Sequence, residues 1–175
     1  MHIGISAPPA QPCYPEKRRD DMTTGRKRLL ALFTLGLTAL APSASAHDVT
    51  ADLPPGVRGL LQQEMVQVDA AMKTVHGAII RGDHETVKEQ GRMIHDSFIL
   101  EQSMTPEKRQ ALKAAVPAEF LELDQEFHGL AARLADSGRT GNTARQQEIF
   151  GQMTQACVTC HSRYVRGRFD GLDGQ

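Results

Sequence analysis

Residues 142–164 read Asn-Thr-Ala-Arg-Gln-Gln-Glu-Ile-Phe-Gly-Gln-Met-Thr-Gln-Ala-Cys-Val-Thr-Cys-His-Ser-Arg-Tyr, and the reading of this stretch decides the fold. Ile149, Phe150, Met153, Cys157, Cys160, His161 and Tyr164 recur at helical spacing behind a start signal at Asn142 and Thr143. Within it, Cys157-Val158-Thr159-Cys160-His161 has the Cys-x-x-Cys-His pattern in which two thiols form thioethers with haem vinyl groups and the histidine binds the iron. On a helix the two cysteines lie about one turn apart, so both reach one porphyrin edge while His161 turns its imidazole under the metal. Two thiols at this spacing also serve thioredoxin-like redox pairs and half-sites for zinc. The first needs a preceding strand in a βαβ pattern, the second two further ligands at short spacing, and the chain offers neither.

Working outward, the rest of residues 47–175 also reads as helix. Pro54 and Pro55 open a first helix whose stripe is Val57, Leu61, Met65, Val68, Met72, Val75 and Ile79, ended by Gly82. Asp83 caps a second, running to about Leu100 with Val87, Gly91, Ile94 and Phe98 on one face and Met93 and His95 beside them. Thr105 and Pro106 start a short helix that Pro117 breaks, and Phe120, Leu123, Phe127, Leu130 and Leu134 form a third long stripe closed by Gly138. Nothing alternates with a period of two, so no sheet is expected, and there is no internal repeat or low-complexity linker. Four long amphipathic helices with short turns predict an all-α chain: an antiparallel four-helix bundle with haem c attached on the C-terminal helix.

The N-terminal part reads differently. Residues 1–21 are Pro-rich, charged and without periodicity, and read as an upstream extension ahead of the true start. From Met22 come Arg26, Lys27 and Arg28, an apolar run over 29–41, and Ala44-Ser45-Ala46, the three regions of a secretory signal peptide covering 22–46. The run is too short for a permanent membrane span, and no cysteine follows it to accept a lipid. A periplasmic protein of residues 47–175 is therefore expected, without stable membrane insertion after cleavage. Of 20 basic and 21 acidic residues the first 46 residues hold six and three, which leaves 14 against 18 and a formal charge of −4 with histidines neutral. Cys13 leaves with the leader, so both remaining cysteines belong to the motif and no disulfide framework is available. The mild acidity argues against a nucleic-acid surface and is compatible with a basic redox partner.

Helix number, helix length and a C-terminal Cys157-x-x-Cys160-His161 together resemble the cytochrome c-prime family, four-helix-bundle c-type cytochromes, across essentially all of residues 47–175. Tyr164, three residues after His161, fits the family's usual aromatic. The arginine that commonly follows it is replaced by Val165, with Arg163 and Arg166 on either side. The resemblance implies one covalent haem c, His161 as proximal ligand, a distal residue supplied by the first helix, and a homodimer formed through the first two helices. With an apolar distal residue the iron of such proteins is five-coordinate and high-spin and binds NO or CO. With methionine it is six-coordinate, low-spin and suited to electron transfer.

Met65 is the first choice for the distal ligand, because it lies on the apolar stripe and a thioether is a soft ligand for ferrous haem. Methionine is equally a flexible core filler, and an open site, Met72, or one of His76, His95 and His128 are the alternatives. Counting back from the glycine that ends the helix gives Val66, which shares its face with Asp69, Ala70 and Lys73, the wrong side for a pocket. Arg58 reads as a surface charge that could reach a haem propionate. No serine, cysteine or carboxylate constellation stands apart from the haem motif, so no enzyme is expected. The expected function is an exported monohaem electron carrier serving redox partner proteins. The alternative is a gas-binding cytochrome in which Met65 only packs.

Overall fold

The computed structural model describes residues 48–165 and 167–172; residues 1–47, and with them the expected extension and signal peptide, lie outside the described residues. Within that range the chain is all-α, without strands. The helices are α1 (Pro55–Arg81), α2 (His84–His95), α3 (Leu100–Ser103), α4 (Pro106–Ala115), α5 (Ala118–Arg139) and α6 (Thr143–Tyr164), followed by a 3-10 turn over Asp170–Leu172.

Most boundaries follow local chemistry. Pro55 opens α1, and Gly82 ends it at φ 68° with its N–H turned back to the carbonyls of the last turn. Asp83, Thr105 and Asn142 cap α2, α4 and α6 by accepting from the backbone N–H of Thr86, Lys108 and Arg145. Two boundaries differ from the sequence reading. α2 stops at His95 instead of about Leu100, because the chain turns through Ser97 at φ 60° and restarts as the single turn α3. α5 runs through Gly138 to Arg139, so that glycine does not terminate the helix.

Gly138 is a packing residue. A Cβ there would lie 2.6 Å from the Lys88 nitrogen, and one on Gly91 2.7 Å from the Ala135 nitrogen. Two missing side chains, one on each helix, thus let the backbones of α2 and α5 approach closely, and these two helices make the most extensive contact in the fold. α5 packs next on α6 and α1 on α2, whereas α1 and α6 meet far less.

The buried line of α1 is also displaced from the expected one. It runs Val57, Glu64, Val68, Ala71, Val75, Ala78 and Ile79, with Met65 and Met72 falling beside it. A carboxylate holds a core position because it is fully partnered. Glu64 is 1% exposed, and it accepts from the Ser97 hydroxyl at 3.0 Å and from the N–H groups of Phe98, Ile99 and Leu100 at 2.9, 2.7 and 3.0 Å. Burial works against its ionisation, but these four donors outweigh it and hold the carboxyl below its ordinary value.

The core falls into two clusters. One joins α1, α2, α5 and α6 through Val75, Val87, Ile94, Leu134, Ile149 and Met153. The other gathers Val49, Leu53, Val57, Leu112, Val116, Phe120 and Tyr164, so α4 covers this end of the molecule. Here Val49 N–H donates to the Tyr164 carbonyl at 3.1 Å. Arg58, expected as a surface charge, is half-buried and donates to the carbonyls of Ala51 and Leu53 at 3.1 and 3.0 Å.

Two outcomes test this account. Gly138→Ala improves intrinsic helix propensity by about 1 kcal/mol yet should lower unfolding stability by about 1–3 kcal/mol through overpacking against α2, as measured by urea titration. Glu64→Gln turns an amide donor toward backbone donors and should cost about 3 kcal/mol at neutral pH. Because the folded-state pKa of Glu64 is lowered, that difference is full above the unfolded value of about 4.3 and shrinks as pH falls through the folded one.

Candidate functional site

The weak contact between α1 and α6 leaves an apolar cavity of about 460 Å³ bordered by Met65, Val68, Met72, Phe150, Cys157 and His161, with Asp69, Lys73 and His76 at its edge. A second recess of about 100 Å³ lies where the two core clusters meet; Leu61, Met65, Phe127, Cys157, Cys160 and His161 are on its wall. A third, of about 560 Å³, runs along Gln62, Met65, Val66 and Asp69 to Val165 and Phe169, again past His161. Met65 and His161 border all three, and Met65, Cys157, Cys160 and His161 together border the second. The first and third are of a size that suits a small-molecule ligand.

The four chosen residues come together in different ways. Cys157, Cys160 and His161 sit on the last two turns of α6, half-buried, with both thiols free. Met65 is 38% exposed, less enclosed than its stripe position predicts, because Glu64 takes the core position next to it. Val66 is 65% exposed and reaches only the rim of the third recess. Of the histidines, His76 borders the first cavity, stacked on Phe150 with ring centroids 5.7 Å apart. His95 and His128 instead tie α2 to α5: the His128 Nδ1 lies 2.7 Å from the Ile94 carbonyl and the His95 Nδ1 3.1 Å from that of His128. His84 pairs with the fully buried Gln146 at 3.0 Å.

Burial sets the protonation states. It pushes the Cys160 thiol up to about 11, helped by the nearby Asp124 carboxylate and opposed by Arg163. Burial also raises Cys157 and lowers His161, where Arg168 adds to the effect. Asp124, on the wall of the second recess, is itself raised by burial, with His128 at 3.8 Å opposing. At neutral pH the site therefore presents two protonated thiols, poor nucleophiles of the opposite character to a reactive redox pair. It also presents a neutral imidazole, the form that binds metals. Among the described residues no three His, Cys, Asp or Glu side chains are grouped to hold a metal ion by themselves.

Two site residues escaped the sequence reading. Asp124 sits on the third long helix between the apolar positions Leu123 and Phe127, and only its packing neighbours reveal that it is half-buried. Phe169 lies in a glycine-flanked tail beyond α6, where no periodicity marks it, yet its ring stacks on His161 at 4.6 Å between centroids and 11° between planes.

No family model matches the chain, and comparison with curated proteins and with solved structures finds no match either. Among the described residues no helix is long and apolar enough to cross a membrane.

With both thiols free, alkylation of Cys160 by iodoacetamide at pH 8 should be on the order of 10²-fold slower in the folded chain than in denaturant. The rate should climb with pH through about 11, followed by mass spectrometry. A folded-state rate equal to the unfolded one would mean the thiol is not held protonated.

Proposed function

We propose that the protein is an exported monohaem c-type cytochrome that carries single electrons, built as a four-helix bundle of α1, α2, α5 and α6. One observation carries the reading: Met65 of α1 and Cys157, Cys160 and His161 of α6 border one apolar recess, and Met65, Cys157 and His161 also border the 460 Å³ cavity. The residues fit the group. Val68, Met72 and Phe150 supply apolar walls for a porphyrin, the two thiols lie one helical turn apart for thioether attachment, and the imidazole is neutral and ready to ligate.

When bound, haem supplies a one-electron couple that no side chain here provides. The chain does the rest. Cys157 and Cys160 hold the cofactor against loss outside the cytoplasm, and His161 gives the proximal ligand. Met65 gives the distal one, and methionine with histidine favours a raised reduction potential. The apolar walls exclude water. Export by residues 22–46, a periplasmic location, redox protein partners and a homodimer belong to the same proposal.

A second reading has its own support. Met65 is more than one third exposed and belongs to neither core cluster, which suits a distal face left open to NO or CO.

Absorption spectra of the holoprotein, oxidised and reduced, with and without CO, separate the two. Wild type should be low-spin and unchanged by CO, and Met65→Ala high-spin and CO-reactive. A high-spin wild type that takes up CO overturns methionine ligation and moves the protein to gas binding. A protein without covalent haem overturns both readings.

A further inference from the structure

We infer that Phe169 is a positioning residue for His161, fixing the plane of its imidazole by ring stacking; the inference rests on His161 being the proximal haem ligand. A metal-bound histidine ordinarily has its ring held by a hydrogen bond from the other ring nitrogen to a carboxylate or carbonyl. Here no hydrogen bond to the His161 ring is found among the described residues, and its close ring partner is Phe169, parallel to within 11° at 4.6 Å.

The backbone delivers Phe169 to that place. α6 ends at Tyr164, the chain leaves the helix at Val165, and Gly167 at φ 75° reverses it, a conformation natural to glycine. The 3-10 turn over Asp170–Leu172 then closes with the Leu172 N–H donating to the Phe169 carbonyl at 2.8 Å. Arg168 places its guanidinium carbon 6.0 Å from the Phe169 ring centroid, within cation–π range. Phe169 remains 36% exposed in this position. The segment 167–172 thus returns beside the motif helix and sets one aromatic ring against the imidazole.

A ring held by stacking keeps its plane without a carboxylate partner among the described residues, so the imidazole is oriented without gaining the anionic character that such a partner confers. Plane orientation of an axial imidazole is read by the electron paramagnetic resonance of the ferric low-spin or high-spin iron. The chain's contribution is therefore measurable without any assay of electron transfer.

The experiment compares the haem-loaded wild type with Phe169→Ala, Phe169→Leu and Phe169→Trp. Leucine keeps apolar bulk without a ring; tryptophan keeps a stacking face. Alanine and leucine should shift and broaden the ferric resonance and the hyperfine-shifted His161 proton signals, while tryptophan stays close to wild type. Covalent haem per chain, from the pyridine haemochrome band, should stay within about twofold in all four. Four coincident spectra overturn the inference, and so does leucine matching wild type, which reduces Phe169 to bulk. If alanine fails to fold, the leucine and tryptophan pair decides alone. Wild type without a haemochrome band overturns the haem reading on which the inference rests, and shows before any variant is compared.

Discussion

A single buried carboxylate sets the frame of this molecule. Glu64 sits at a core position of α1 and gathers the Ser97 hydroxyl and three consecutive N–H groups beyond the end of α2. Those N–H groups belong to a loop and to the first residue of α3, where no preceding helical carbonyl serves them, so the carboxylate takes the part that a cap takes elsewhere. Without it, three backbone donors would lose their acceptor, each at a cost comparable to a lost hydrogen bond. The clamp fixes where α2 stops, permits Ser97 its positive φ, and locks α1 at one rotation about its axis.

That rotation has a consequence for the site. With Glu64 pointing inward, the next residue, Met65, cannot also point inward; it turns toward α6 at the edge of the core. α2 and α5 meanwhile close on each other through Gly91 and Gly138, which draws contact to that side and leaves α1 and α6 apart. The apolar recesses are thus the complement of tight packing elsewhere, lined by partly buried members of both core clusters.

The walls of these recesses are mostly apolar. Burial keeps the thiols protonated and the imidazole neutral, and the thioethers of Met65 and Met72 and the edge histidine His76 lie among mostly apolar walls, with Asp69, Lys73 and Asp124 as the charged groups there. Such a site suits a hydrophobic cofactor held by covalent bonds and one or two soft axial ligands, which is the proposed haem. The stacked Phe169 adds an orienting contact from a segment outside the helical frame.

Much of this was legible in the chain by itself. Helix periodicity, the caps Asp83, Thr105 and Asn142, and the prolines at 55, 106 and 117 are local signals, and local signals survive without a partner surface. The Cys157-x-x-Cys160-His161 spacing is likewise local, as is the stripe on α1 that brought Met65 forward. Tertiary structure alone decided the features that depend on what lies opposite. Glu64 reads as a solvated charge until the 97–100 backbone is seen to supply its donors, and Gly138 reads as a helix end until α2 lies against it. Arg58 reads as a surface charge until the carbonyls of Ala51 and Leu53 are brought to it. Phe169 carries no pattern at all until the turn at Gly167 returns it to His161. The physical reason is common to all four: periodicity records which face of a segment is apolar, whereas the partner of a polar group or a glycine comes from elsewhere in the chain and leaves no trace in the local sequence.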